Sequence, residues 1–134
     1  MPDTFPISFG EYQLVDRLAT GGMAEVFLAR SVGIEGFEKR LVIKKILPEL
    51  ANRPRFVQMF VHEAKLSVSL NHPNIVQVFD LGKVGQDPYM AMEYIHGRDL
   101  TSVMRALRRQ GERIDVGLAV HVAAKVLRGL GYAH

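Results

Sequence analysis

The sequence predicts an α+β fold, in which a five-stranded antiparallel sheet carries one packed helix and is followed by two further helices. Three observations support this prediction. Five segments show the apolar alternation of strands, and one segment between the third and fourth of them has helical spacing. After residue 97 the pattern becomes helical again. Apolar residues make up 48% of the 134 residues, which excludes a disordered chain.

The first three strands are predicted before any helix, over residues 11–20, 24–31 and 37–46. The first two flank a pair of adjacent glycines, which is typical of a hairpin. In the third, alternation places Val42 and Lys44 on one face and Lys45 on the other. Residues 1–10 are expected to form a flexible lead-in, without the basic and apolar segments of a signal peptide.

The predicted helix covers residues 55–70 and has two apolar stripes, so we expect it to pack on more than one side. Two more strands are predicted over residues 75–84 and 89–94. Asp99 and Asp115 then stand where helix N-caps are expected. Because little chain remains to cover these last helices, we expect their apolar faces to be exposed and to cause self-association.

Composition narrows the classes of function. The net charge of +3 is a mild basic excess, which gives little reason to expect a nucleic-acid partner. The chain has no cysteine, which excludes disulfides and thiolate metal sites and is compatible with a cytoplasmic protein. No apolar run approaches the roughly 18 residues of a membrane span. The five histidines show no metal-ligand spacing, so no metal site is predicted.

Two patterns could carry chemistry. Gly21 and Gly22 make a nearly bare turn, which suits close approach of a phosphate chain but also suits an ordinary hairpin. Glu63 lies on the helix predicted to be buried, and a buried carboxylate needs a cation. Lys44 is the natural partner, and the alternative is that both side chains are ordinary surface residues.

Six segments in order resemble the start of a protein kinase domain of the serine/threonine type, with a bacterial character. They are residues 18–26 (glycine-rich loop), 41–44 (V-A-I-K), 62–64 (helix glutamate), 72–76 (link from helix to fourth strand), 92–97 (gatekeeper and hinge) and 130–134 (end of the helix before the catalytic loop). The resemblance implies a nucleotide-binding lobe over residues 11–95 and the start of a helical lobe over residues 96–134.

The match has departures. Ala19 and Ala24 stand where the family's loop has its first and third glycines, and Val42 stands where it has alanine. The sequence contains neither His-Arg-Asp nor Asp-Phe-Gly. It therefore resembles a kinase domain cut before its catalytic loop, and the ligands for Mg²⁺ are expected beyond residue 134.

The resemblance assigns roles around a bound ATP. Lys44, held by Glu63, would contact the α- and β-phosphates as the catalytic pair of this segment. Backbone amides of the glycine-rich loop would cover the phosphates. The loop positions assigned to the nucleotide are Ala19, Thr20, Gly21, Gly22, Met23 and Ala24.

The same resemblance assigns the adenosine pocket. An apolar roof over adenine would comprise Leu18, Val26 and Val42, with Met92 at the back. The backbone of Glu93 and Ile95 would hydrogen-bond the base, and Asp99 would reach the ribose. Alternatively, Met92 and Val26 are ordinary core residues, and Asp99 is a helix cap alone.

The function implied is transfer of the ATP γ-phosphoryl group to a protein serine or threonine, with this chain alone inactive. The protein substrate would bind through the absent part of the helical lobe. The alternative is a non-catalytic, pseudokinase-like or protein-interaction module. Arg105, Arg108 and Arg109 are expected to form a solvated helix face, with a docking patch as the alternative.

Overall fold

The computed structural model describes residues 4–134, which contain six strands, three α-helices and one 3₁₀ turn. The strands are β1 (Ile7–Phe9), β2 (Tyr12–Gly21), β3 (Ala24–Val32), β4 (Glu38–Ile46), β5 (Val78–Val84) and β6 (Asp87–Met92). The α-helices are α1 (Pro54–Val68), α2 (Leu100–Arg109) and α3 (Val116–Ala133), and the 3₁₀ turn is Ile34–Gly36. The chain divides into two compact units. The first unit comprises the described residues up to Asn71 together with Val76–Tyr94. The second unit comprises His72–Ile75 and Ile95–His134.

The six strands form one antiparallel sheet in the order β1-β2-β3-β4-β6-β5. The predicted fold class is confirmed, but the predicted count of five strands is wrong. Residues 7–9, assigned to the lead-in, pair with β2, and the ring of Phe9 is buried. The turn between β1 and β2 uses Gly10 at φ +58°. A strand of three residues is too short to show alternation in the sequence.

One face of the sheet buries a core of its own around Phe27, Ile43 and Tyr89. The ring of Tyr12 meets that of Tyr89 edge-on at 5.7 Å between centroids. Burial, followed by the neighbouring Tyr89, raises the pKa of Tyr12 well above its ordinary value.

The other face of the sheet is covered by α1. Phe60 and Ala64 pack against Ile46, Val78 and Met90 in a second core. The expectation that α1 packs on more than one side is not met, because Met59 and Leu66 on its far side are half exposed. Within this unit α1 has one sheet to pack against, and its far side, with Met59 and Leu66, remains exposed.

In the second unit, both predicted caps are present. The Asp99 carboxylate accepts a hydrogen bond from the Ser102 N–H at 2.7 Å, and Asp115 accepts one from Leu118 at 3.1 Å. The segment His72–Ile75 is tied to α3 by the Asn74 side-chain amide, which donates to the Lys125 carbonyl at 2.9 Å.

The apolar face of α3 is exposed as predicted, whereas that of α2 is exposed only in part. The large apolar side chains at least 37% exposed there are Leu100, Met104, Val116, Leu118, Val120, Val126, Leu127, Leu130 and Tyr132. None of the helices within residues 4–134 is both long enough and apolar enough to cross a membrane.

Candidate functional site

The glycine-rich loop is the turn of the β2–β3 hairpin. Gly21 pairs with Ala24, which leaves Gly22 and Met23 as the two turn residues. Gly22 has φ +59°, as the first central residue of a type II′ turn requires. A Cβ added at Gly21 or Gly22 would meet nothing within 4 Å, so the space beside the turn is open. The Met23 carbonyl accepts a hydrogen bond from the Leu47 N–H at 2.8 Å, which ties the turn to the end of β4.

An apolar strip lies across the sheet on the face that carries α1. The registers of β3, β4 and β6 place Leu28, Val42 and Met92 side by side in one row. The next row contains Val26, Lys44 and Met90. Since opposed residues of antiparallel strands point to the same face, Lys44 is a cation set among apolar neighbours. Val42 is buried, whereas Val26 and Met92 are partly exposed, so the strip is open to a ligand.

Lys44 and Glu63 form the predicted ion pair, with 2.8 Å between Nζ and Oε1. The lysine side chain is 26% exposed and the glutamate side chain 52%. The expectation that Glu63 is a buried carboxylate is therefore wrong. The buried row of α1 contains Phe60 and Ala64, and Glu63 lies at its edge. The pair is held by charge and by a hydrogen bond, without exclusion of water.

The end of β6 is fixed by a reciprocal pair of hydrogen bonds that the sequence reasoning missed. The Glu93 N–H donates to the Gln77 carbonyl at 2.9 Å, and the Gln77 N–H donates to Glu93 Oε1 at 2.9 Å. The N–H of Glu93 is thus committed to the protein itself. If the backbone of Glu93 serves a base, its carbonyl is the group that can do so. Gln77 lies 16 residues away in sequence, outside every motif that drew notice to Glu93.

Ile95 and Asp99 belong to the second unit. Ile95 is exposed, and Asp99 is occupied as the cap of α2. The hydrogen bonds from Ser102 hold the pKa of Asp99 below its usual range, so its carboxylate is charged at neutral pH. The cap reading of Asp99 is confirmed, and its contact with a ribose stays a prediction.

Three further loop positions lie on β2 where its pairing is irregular. The register with β3 shifts between Arg17 and Ala19, so Leu18 occupies a bulge and is 44% exposed. Beyond the bulge, Ala19 pairs with Val26 and Thr20 with Glu25. The alternation of the sequence predicted a regular strand here. A bulge adds a single residue to the strand, and the composition of the sequence does not reveal it.

On the opposite face of the hairpin, Arg17 and Glu25 form an ion pair that the sequence reasoning also missed. Their side chains meet at 2.8 Å. Of the charged residues within 4–134, Glu25 is the one that is buried. The same guanidinium donates to Thr20 Oγ1 at 2.9 Å and lies 4.9 Å from the centroid of the Phe27 ring. Strand alternation could have predicted that Glu25 is buried, because Glu25 lies on the same face of β3 as the buried Phe27. These contacts brace the base of the glycine turn.

The site in the first unit fits a polyphosphate ester of a flat base. It consists of the Lys44 ammonium group, the open glycine turn, and the apolar strip beside them. The residues described here contain no group of three or more His, Cys, Asp or Glu side chains placed to hold a metal ion.

Comparison with known proteins agrees with this geometry. Residues 12–134 match the family described as protein kinase domain. The chain is 44% identical over 126 residues to the tyrosine-protein kinase MasK of Myxococcus xanthus, covering 94% of this chain and 20% of that protein. It is 38% identical over 129 residues to the serine/threonine-protein kinase PksC of Streptomyces coelicolor, covering 93% and 23%.

Solved structures give the same answer. The kinase domain of PknI from Mycobacterium tuberculosis superposes with a TM-score of 0.75 at 28% identity, over 100% of this chain and 52% of that chain. This chain thus spans about a fifth of the length of the curated relatives and about half of a solved kinase domain. A match over nearly the whole chain, in sequence and in structure, shows that the chain belongs to the protein kinase family.

Proposed function

We propose that this chain is the ATP-binding part of a protein kinase that transfers the γ-phosphoryl group of ATP to serine or threonine of a protein. The single observation that carries the proposal is the Lys44–Glu63 ion pair at the edge of the apolar strip. An ammonium group there can serve phosphates while an adenine ring covers the apolar side chains. ATP would bring Mg²⁺, whose ligands we expect outside residues 4–134.

Each matching residue has a proposed task. Val26, Val42 and the bulged Leu18 would cover the base, with Met92 behind it. The Glu93 carbonyl and the backbone of Ile95 would hydrogen-bond its edge, and Asp99 would reach the ribose from its cap position. Glu63 would keep the Lys44 ammonium aimed at the phosphates. The open turn would let backbone N–H groups approach them, with Ala19, Thr20, Gly21, Gly22, Met23 and Ala24 as the loop.

Two further parts of the proposal concern the location of the protein in the cell and the binding of its protein substrate. A cytoplasmic location agrees with the use of ATP and with the absence of cysteine. The protein substrate would be held outside the segment described here, by the further part of the helical lobe that the family's domain has. Both are inferences from the family and from chemistry.

The nucleotide site can be tested on this chain by a matched pair of variants. Lys44→Met and Lys45→Met remove the same charge from adjacent positions on opposite faces of β4. A charged hydrogen bond contributes about 1.5–3 kcal/mol, so Lys44→Met should weaken MgATP binding by about tenfold or more. Lys45→Met should change the affinity by less than about twofold. Chemical-shift titration with MgATP is suited to a weak, open site.

Equal weakening by the two lysine variants would refute the assignment of the phosphates to the α1 face of the sheet. Chemical shifts that move at the strip but not at the glycine turn would contradict the role of the loop. Circular dichroism of both variants separates loss of binding from loss of folding.

Tyrosine is the second candidate for the acceptor, and the specific observation that favours it is the 44% identity to a protein named a tyrosine kinase. Phosphoamino-acid analysis after autophosphorylation, on protein made from the complete coding sequence, separates the two. Phosphoserine or phosphothreonine supports the proposal, and phosphotyrosine alone overturns it in favour of the second candidate.

A further inference from the structure

A cluster of basic residues surrounds α2. Residues 98–113 contain five arginines against two acidic residues, a net charge of +3. We call these five the α2 arginine surface: Arg98, Arg105, Arg108, Arg109 and Arg113. A partner would meet a positive field at this surface.

The geometry of α2 places three of the five arginines on one side. Arg105, Arg108 and Arg109 follow the i, i+3, i+4 spacing that brings side chains together on a helix, and all three are exposed. No carboxylate among residues 4–134 lies within 4.0 Å of any of the five arginines. Of the two nearby acids, Asp99 caps α2 and Glu112 lines a groove beside Arg113. The arginines outnumber these acids, so the surface keeps a net positive charge.

Apolar grooves adjoin the same arginines. One, of about 580 Å³, is lined by Met104, Leu107 and Ile114 together with Arg108, Arg113 and the acidic Glu112. Another, of about 380 Å³, is lined by Leu100 and Met104 together with Arg105 and Arg108. Met104 and Arg108 line both grooves, and Met104 is 37% exposed. A methionine between two grooves can repack around a partner's side chain.

We propose that the α2 arginine surface is a docking site for an acidic segment of a partner protein that carries a large apolar side chain among its carboxylates. The arginine forks pair with carboxylates, and the groove beside Met104 takes the apolar side chain. The proposal does not depend on phosphoryl transfer, because every residue in it belongs to the second unit, whereas Lys44 belongs to the first.

Other anionic partners fit the surface less well. Single-stranded nucleic acid is held by stacking on aromatic rings, and residues 98–113 contain none. A membrane surface takes a helix whose apolar side is free to enter the lipid. Val103 and Leu107 on the apolar side of α2 are half buried within the unit. A protein segment uses both the charge and the grooves.

The test uses fluorescence anisotropy with a labelled ten-residue peptide of glutamate and aspartate around a central leucine. The variant Arg105→Gln/Arg108→Gln removes two charges from the surface. Its matched control, Arg53→Gln/Arg55→Gln, removes two exposed charges beside α1 in the other unit. Because exposed ion pairs are weak, the surface variant should weaken binding by about fivefold and the control by less than twofold.

Two changes to the probe sharpen the test. Replacing the central leucine by serine should weaken binding severalfold because the groove loses its occupant. Raising the salt from 50 to 300 mM should weaken the parent peptide more than it weakens the surface variant. Both results would support a site that binds the carboxylates and the apolar side chain of the peptide together.

The proposal is overturned by any of several results. These are equal loss in the two double variants, no effect of the leucine replacement, or no binding at 50 mM salt. Tighter binding of a single-stranded oligonucleotide of equal charge, or of anionic lipid vesicles, would also overturn it, since the surface would then be a general anion site. Circular dichroism of the variants checks that α2 is intact in each comparison.

Discussion

Two ion pairs of equal length should contribute very differently to stability. Arg17–Glu25 and Lys44–Glu63 both measure 2.8 Å, and they lie on opposite faces of the same sheet. The Glu25 side chain is 11% exposed, whereas the Glu63 side chain is 52% exposed. The perturbation is the same in both cases, a single glutamate replaced by glutamine.

The expected magnitudes follow from exposure. Glu25→Gln replaces a carboxylate that accepts a hydrogen bond from Arg17 in a partly dry site, which costs about 1–3 kcal/mol. Glu63→Gln removes a pair that water screens, and such pairs contribute about 0–1 kcal/mol. The first variant should therefore unfold at clearly lower urea concentration, and the second close to the parent chain.

Urea unfolding followed by circular dichroism measures both effects, at a protein concentration low enough to limit association. Double-mutant cycles with Arg17→Met and Lys44→Met isolate each pairwise energy. The order should be reversed for nucleotide affinity: Glu63→Gln should bind the nucleotide more weakly than Glu25→Gln does. Equal loss of stability in the two glutamine variants would refute the reasoning that exposure decides the contribution.

Four further predictions follow from the structure. Because burial raises the pKa of Tyr12, its stabilising effect is complete below about pH 10 and is lost as the pH rises beyond that; Tyr12→Phe should flatten the alkaline limb of a stability–pH curve. An alanine Cβ at Gly82 would lie 2.6 Å from the Tyr89 hydroxyl, so Gly82→Ala should cost about 1–3 kcal/mol in urea unfolding, whereas Gly97→Ala, with open space around it, should cost less. Light scattering should show self-association, and Leu127→Glu on the exposed face of α3 should reduce it; a clean monomer at high concentration would contradict this. The 134-residue chain should incorporate no labelled phosphate into a generic basic protein, because its sequence contains neither His-Arg-Asp nor Asp-Phe-Gly, the motifs that supply the base and the metal ligands in the family; turnover by pure chain would overturn this.

Much of the fold could be predicted because alternation and helical spacing are local. The hairpin, the face shared by Val42 and Lys44, and the caps of α2 and α3 each depend on a few adjacent residues. The Lys44–Glu63 pair could be predicted because a carboxylate expected to be buried needs a cation, and because the family resemblance pairs the same two positions. Strand β1 could not, since three residues show no period, and its place in the sheet depends on pairing with β2.

The bulge at Leu18 shows why the rest could not be predicted. A single extra residue in β2 shifts the partners of every position between it and the turn. That shift sets Thr20 opposite Glu25, and Arg17 reaches both of them at the base of the glycine turn. Composition and alternation are unchanged by it, so the contacts that brace the loop appear only when register is known.

The reason for the Lys44–Glu63 pair is also different from the one that predicted it. Burial of Glu63 was the argument, and Glu63 is half exposed. The constrained partner is Lys44, which stands between Val26 and Met90 on the apolar strip and has a side chain only 26% exposed. An ammonium group in that position loses water that a carboxylate can replace, and its long stem has many rotamers. Glu63 thus selects one position for the ammonium without contributing much to stability. A partly solvated carboxylate can also release the lysine to a phosphate at small cost, which a buried one could not do.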